Sequence, residues 1–189
     1  MTDDAPWYEA ALLVGVTNAL NVVADSPLES LEPARPSAEA EAVFAEIRAF
    51  YDRADVPTAF RRVAADPGYL ADLWGATRRV FTDSQLTRRH KEALAFAVSV
   101  TTRSSFGTAF HLSEMRRLGV GERGVMEVLG VTQMFSSYTK IADTLQLEPD
   151  MGDIAAVDHS PAPGGSQRST RNPEAEPGSS VVGAAPQRS

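Results

Sequence analysis

Four residues carry most of the chemistry this chain can offer: Glu92, Ser104, Gly107 and His111. Ser104, Gly107 and His111 fall at i, i+3 and i+7, which is one face of a single helix. Glu92 lies twelve positions before Ser104, on what reads as the preceding helix. A carboxylate facing an imidazole is a general acid/base pair, with the imidazole as proton carrier and the carboxylate as its orienting or relaying partner. His111 and Glu92 are therefore the candidate catalytic residues. Ser104, Gly107, Phe106 and Phe110 are the candidate substrate pocket, because Gly107 leaves room where a side chain would otherwise stand. Each has a plainer reading. Ser104 can be a helix N-cap, Gly107 a close helix contact, His111 a hydrogen-bonded core residue, and Glu92 a first-turn acid that favours the helix dipole.

Other chemistries are closed off. The chain has no cysteine, so it holds no disulfide, thiolate metal ligand or thiol nucleophile. No GxxxxGK, GxSxG or HExxH occurs. The three histidines, His90, His111 and His159, are scattered. Glu92 and His111 alone make a poor metal site, so neither metal nor cofactor is expected. The net charge of −7 argues against binding nucleic acid phosphates or an anionic membrane. The pairs Arg61-Arg62, Arg78-Arg79, Arg88-Arg89 and Arg116-Arg117 are interleaved with acids and read as solvated helix faces.

The elements that must position these residues read as helices. The chain has 189 residues, 43% of them hydrophobic, which is enough for one domain with a real core and a tail. Asp3 or Asp4 with Pro6 opens a first helix to about Val23. Ser37 caps a second, Pro57 opens a short third, and Asp66-Pro67 opens a fourth. Thr87 caps a fifth, and Ser104 or Ser105 starts a sixth that stops at Gly119. A short helix over 122–129 and a separate last one over 131–145 complete the expectation. Strand patterns are scarce, so the fold class is all-α, a helical bundle. Residues 152–189 contain no aromatic residue and no leucine, and are expected to be disordered. The expected division is 1–36 as N-terminal helix and linker, 37–150 as the helical domain, and 151–189 as tail. The acidic start does not suit a signal peptide, and the apolar stretch from Trp7 to Val23 is broken by Glu9, Asn18 and Asn21. A soluble, cytoplasmic protein that does not enter a membrane is the expectation. The stretches VTNALNVVAD and VTQMFSSYTKIAD, in the first and last helices, are weakly similar to one another.

The run from Leu86 to Pro149 has a recognisable order. Leu86 and the cap Thr87 precede a charged run ending in Glu92. An Ala-rich helix, AFAVS, follows. His111, the RRLG stop at Arg116 to Gly119, and Ile141-Ala142-Asp143 complete it. This resembles the carboxymuconolactone decarboxylase family, which includes the AhpD-like alkylhydroperoxidases. The resemblance implies an AhpD-like all-α fold and self-association as a trimer or hexamer. It also implies a CxxC pair at the positions held here by Ser104 and Gly107, with Glu92 and His111 as the proton relay. A serine hydroxyl is barely ionised near neutral pH and forms no disulfide, so Ser104 cannot take the peroxidatic role. The expected function is thus non-redox proton-transfer chemistry, such as decarboxylation, isomerisation or lactone chemistry, on a small organic acid. The alternatives are a non-catalytic binding or oligomerisation module that keeps the fold and, further off, an alkylhydroperoxidase-type antioxidant protein.

Overall fold

A computed structural model of the chain describes residues 4–27 and 32–147. Seven helices make up the described residues: α1 (Ala5–Asp25), α2 (Ala38–Tyr51), α3 (Thr58–Arg62), α4 (Pro67–Phe81), α5 (Arg88–Thr101), α6 (Ser105–Arg117) and α7 (Glu122–Leu145). The start signals act where the sequence places them. The side chains of Ser37, Asp66, Thr87 and Ser104 accept from the backbone N–H groups of Ala40, Tyr69, His90 and Gly107. Each satisfies a donor that the first turn leaves unpaired.

The stop of α6 is a Schellman motif. Gly119 adopts φ 81°, its N–H bonds to Arg116, and the Val120 N–H bonds to the Met115 carbonyl at 2.9 Å. α2 ends in the same way on Asp52, at φ 51°, with the Arg53 N–H on the Arg48 carbonyl. Between α5 and α6 only residues 102–104 intervene, with Arg103 at φ 59°, so the two helices fold back as a tight hairpin. That hairpin is what sets Glu92 against His111.

α1 is long and apolar enough to cross a membrane by length and composition. Here it is a packing element: Leu13, Thr17, Leu20, Asn21 and Ala24 are buried, and α1 lies against α3, α4, α5 and α6. The main core joins Leu20 to Phe44, Ile47, Tyr51, Phe60, Leu70 and Trp74 from α2, α3 and α4. A smaller one joins Phe96 of α5, Met115 of α6 and Val125 of α7.

One boundary differs from the sequence reading. The two helices expected over 122–129 and 131–145 are one, α7. Gly130 has no neighbour within 4 Å at its missing Cβ and does not take a positive φ. It costs about 1 kcal/mol of propensity, which α7's unbroken backbone bonding outweighs. The expected tail, 152–189, and His159 lie outside the described residues.

Candidate functional site

The first turns of α5 place Arg88 and Glu92 one above the other at i, i+4. On α6, three turns of the facing surface carry Gly107, His111 and Glu114, all buried. The two surfaces meet. His111 Nδ1 is 2.7 Å from Glu92 Oε2, with both side chains essentially sealed from solvent. A carboxylate accepts only, so the neutral imidazole donates from Nδ1 and presents a lone pair at Nε2. Nε2 makes no hydrogen bond among the described residues. Phe81 of α4 stacks on the imidazole at 5.7 Å and 9°, and Phe110 meets it edge-on at 5.2 Å. These rings fix the imidazole plane, so the proton-carrying edge is held rather than free to rotate.

Glu92 is itself positioned. Its Oε1 accepts from Arg88 Nε at 2.6 Å. Arg88 lies over the rings of Phe50, Tyr51 and Phe81 at 4.5, 5.1 and 5.3 Å. The Arg88 side chain is 12% exposed, not the solvated face expected for that basic pair. The reason is charge: two carboxylates, Glu92 and Glu114, are fully buried, and an uncompensated buried charge is costly. Glu114 Oε2 accepts from Arg117 Nη2 at 2.7 Å and lies 3.6 Å from Arg88 Nη2; its Oε1 lies 3.6 Å from Arg53. Glu114 Oε1 and Arg88 Nη2 are buried without hydrogen-bond partners. Tyr51 completes this surround. Burial pushes its phenol above the usual range, the negative Glu92 adds to that, and Arg88 opposes it.

Ser104 and Gly107 do other work. Ser104 Oγ accepts from the Gly107 N–H at 2.9 Å, which makes it the N-cap of α6. A Cβ on Gly107 would collide with Asn21 Oδ1 and Ser99 Oγ and lie 2.9 Å from Asn21 Cγ. Asn21 Nδ2 donates to Ser99 Oγ at 3.0 Å, and Ser99 Oγ donates to the Ala95 carbonyl at 2.8 Å. The space beside Gly107 is therefore filled by an asparagine from α1. Phe106 and Phe110 stand on the neighbouring strip of α6, where they line a cleft of about 290 Å³ with Arg53, Asp55, Val56, Pro57 and Thr58. Of the four residues expected to share a pocket, Phe106 and Phe110 line this cleft, while Ser104 and Gly107 do not.

Sequence reasoning singled out Glu92 and His111 but missed Arg88, Glu114, Tyr51 and Asn21. Arg88 had a signal, its i, i+4 spacing to Glu92. Asn21 had only its polarity within an apolar helix.

A helical hairpin that buries a carboxylate–imidazole pair beneath a thiol-free helix N-terminus defines a cysteine-free protein with an AhpD-like fold. Residues 67–147 match the model of the Carboxymuconolactone decarboxylase family. The crystal structure of the alkylhydroperoxidase AhpD core from Rhodospirillum rubrum superposes with a TM-score of 0.57 at 26% sequence identity. That match covers 59% of this chain and 83% of the other. No curated protein matches the chain.

Proposed function

We propose that this chain is a thiol-free enzyme of the carboxymuconolactone decarboxylase type that moves a proton on a small organic acid. The observation that carries this is the buried 2.7 Å contact of His111 Nδ1 with Glu92, which leaves Nε2 as the unspent acceptor. His111 Nε2 takes a proton from a carbon next to a carboxyl or lactone carbonyl, and the electron pair of that C–H bond passes into the carbonyl. Glu92 stabilises the imidazolium, which returns the proton to another carbon in an isomerisation. In a decarboxylation the C–C bond to the carboxylate breaks, CO2 leaves, the electron pair stays with the substrate, and its carbon takes a proton that His111 Nε2 has first drawn from water. With neither thiol present, peroxide reduction of the alkylhydroperoxidase kind is not part of this reading. The test is a panel of unsaturated lactone acids and 3-keto acids followed by absorbance and CO2 release. His111→Gln should abolish turnover, and Glu92→Gln should lower kcat by about 100-fold or more. Turnover that survives His111→Gln overturns the reading.

A second reading, a non-catalytic module, draws on a specific observation: Asn21 and Ser99 close the space beside Gly107, on the His111 face of α6. No turnover across the panel, with His111→Gln changing only stability, would favour it.

The protein also self-associates in this proposal, as a trimer or hexamer in the cytoplasm. In α7 beyond Thr132 the apolar residues Phe135, Tyr138, Ile141 and Leu145 are 67%, 57%, 53% and 62% exposed, a stripe that a second copy would cover. Phe135→Asp should lower the mass measured by light scattering. A wild-type monomer across micromolar concentrations would refute the assembly.

A further inference from the structure

The cleft between the α2–α3 connection and α6 has features of a ligand site that the Glu92–His111 pair does not account for. It measures about 290 Å³, the lower end of the range for small-molecule pockets. Its walls are apolar and flat: Phe106 and Phe110 stack at 5.5 Å and 11°, and Val56 and Pro57 face them. Its charged residues are unequal. Arg61 is committed, with Nε on Glu32 at 2.8 Å and Nη1 on the Val56 carbonyl at 2.8 Å. Arg53 is not. Its guanidinium lies over Phe110 at 5.5 Å and 3.6 Å from Glu114 Oε1, and its side chain donates no hydrogen bond among the described residues. If Arg53 turns toward a ligand, Arg117 and Arg88 still pair with Glu114 through Oε2, and it is Oε1 that gives up its cation. Asp55 is the acidic residue of the lining, and with Arg61 already paired to Glu32, Arg53 is the cationic group left to meet a carboxylate.

We propose that this cleft binds a small planar carboxylate, with Arg53 taking the carboxylate as a two-donor fork and Phe106 and Phe110 packing on its flat body. Guanidinium geometry suits a carboxylate, and aromatic walls suit a planar partner. Phe110 is also the ring that touches His111, so it forms the wall between this cleft and the imidazole. The assignment deepens the function proposed above, and rests on it only for what happens to the ligand after it is bound.

Benzoate is the probe, with benzamide as its uncharged match and inorganic phosphate as a non-planar anion. Binding to the full chain is followed by the aromatic resonances of Phe106 and Phe110 and the Nε resonance of Arg53. Saturable benzoate binding that shifts those resonances is expected, with benzamide and phosphate each at least tenfold weaker. Arg53→Met should weaken benzoate about tenfold and leave benzamide unchanged, in a protein whose spectrum remains that of the folded state. Arg116→Met, at an exposed ion pair elsewhere, should change nothing. The proposal is overturned if benzoate does not saturate, if Arg53→Met leaves its affinity within twofold, or if phosphate binds as well as benzoate. Benzoate binding without turnover of any lactone or keto acid would sink the enzymatic reading and leave this cleft standing.

Discussion

Gly107→Ala places one methyl group against Asn21 and Ser99, and its cost can be worked through. The added Cβ meets Asn21 Oδ1, Asn21 Cγ and Ser99 Oγ, all belonging to buried residues. Overpacking a tight site costs about 1–3 kcal/mol. Moving Asn21 away also breaks its 3.0 Å bond to Ser99 and leaves buried polar atoms unpaired, for about 1–3 kcal/mol more. Better helix propensity returns at most about 1 kcal/mol, and less in a first turn. The net is a loss of about 3 kcal/mol, or roughly 6–12 °C in Tm for an ordered region of this size. Asn21→Ala removes the colliding group, so Gly107→Ala should cost about 2 kcal/mol less in that background. The assay is thermal and urea unfolding of the four proteins by circular dichroism at one fixed protein concentration, since association would shift Tm. Gly107→Ala within about 0.5 kcal/mol of wild type would refute the reasoning, as would an equal cost in both backgrounds. The same clash means that a cysteine pair introduced at Ser104 and Gly107 should fold well only when Asn21 is trimmed.

In an alkaline titration Tyr51 should not ionise until the fold opens, because burial and the nearby Glu92 hold its phenol above the usual range. A folded value raised above the unfolded one gives stability that is present below about pH 10 and lost above it, so Tyr51→Phe should flatten the alkaline fall; an alkaline fall of the same size in wild type and Tyr51→Phe would refute this. The Lys91 ammonium beside Glu9 holds that carboxyl below its ordinary 4.5, aided by the Leu86 N–H. Its contribution is therefore present above that value and lost as pH falls through the lowered one, so the gap in stability between wild type and Glu9→Gln should shrink in acid; a gap independent of pH would count against the pair. Hydroperoxide consumption with a dithiol reductant should stay at background beside a cysteine-containing relative, and comparable turnover would show redox chemistry without a thiol.

Much of this fold was written locally. Ser37, Asp66, Thr87 and Ser104 each cap the helix they precede, and Gly119 ends α6, because caps and stops depend on a few neighbouring atoms. Gly130 misled for the same reason. Its propensity is local, while the continuity of α7 is set by a whole helix of backbone bonds, anchored through Val125 on α5 and α6. The spacing of Glu92 and His111 on a tight hairpin was likewise legible, and the two meet at 2.7 Å. What surrounds them was not. Arg88 turns inward because Glu92 and Glu114 are sealed from water, and no composition rule tells a solvated arginine from one that neutralises a buried carboxylate. The space at Gly107 was visible in the sequence, but its occupant, Asn21, stands 86 residues away on α1. Which face of α6 holds a cleft and which is filled was decided by the docking of α1, a contact between segments that share no local signal.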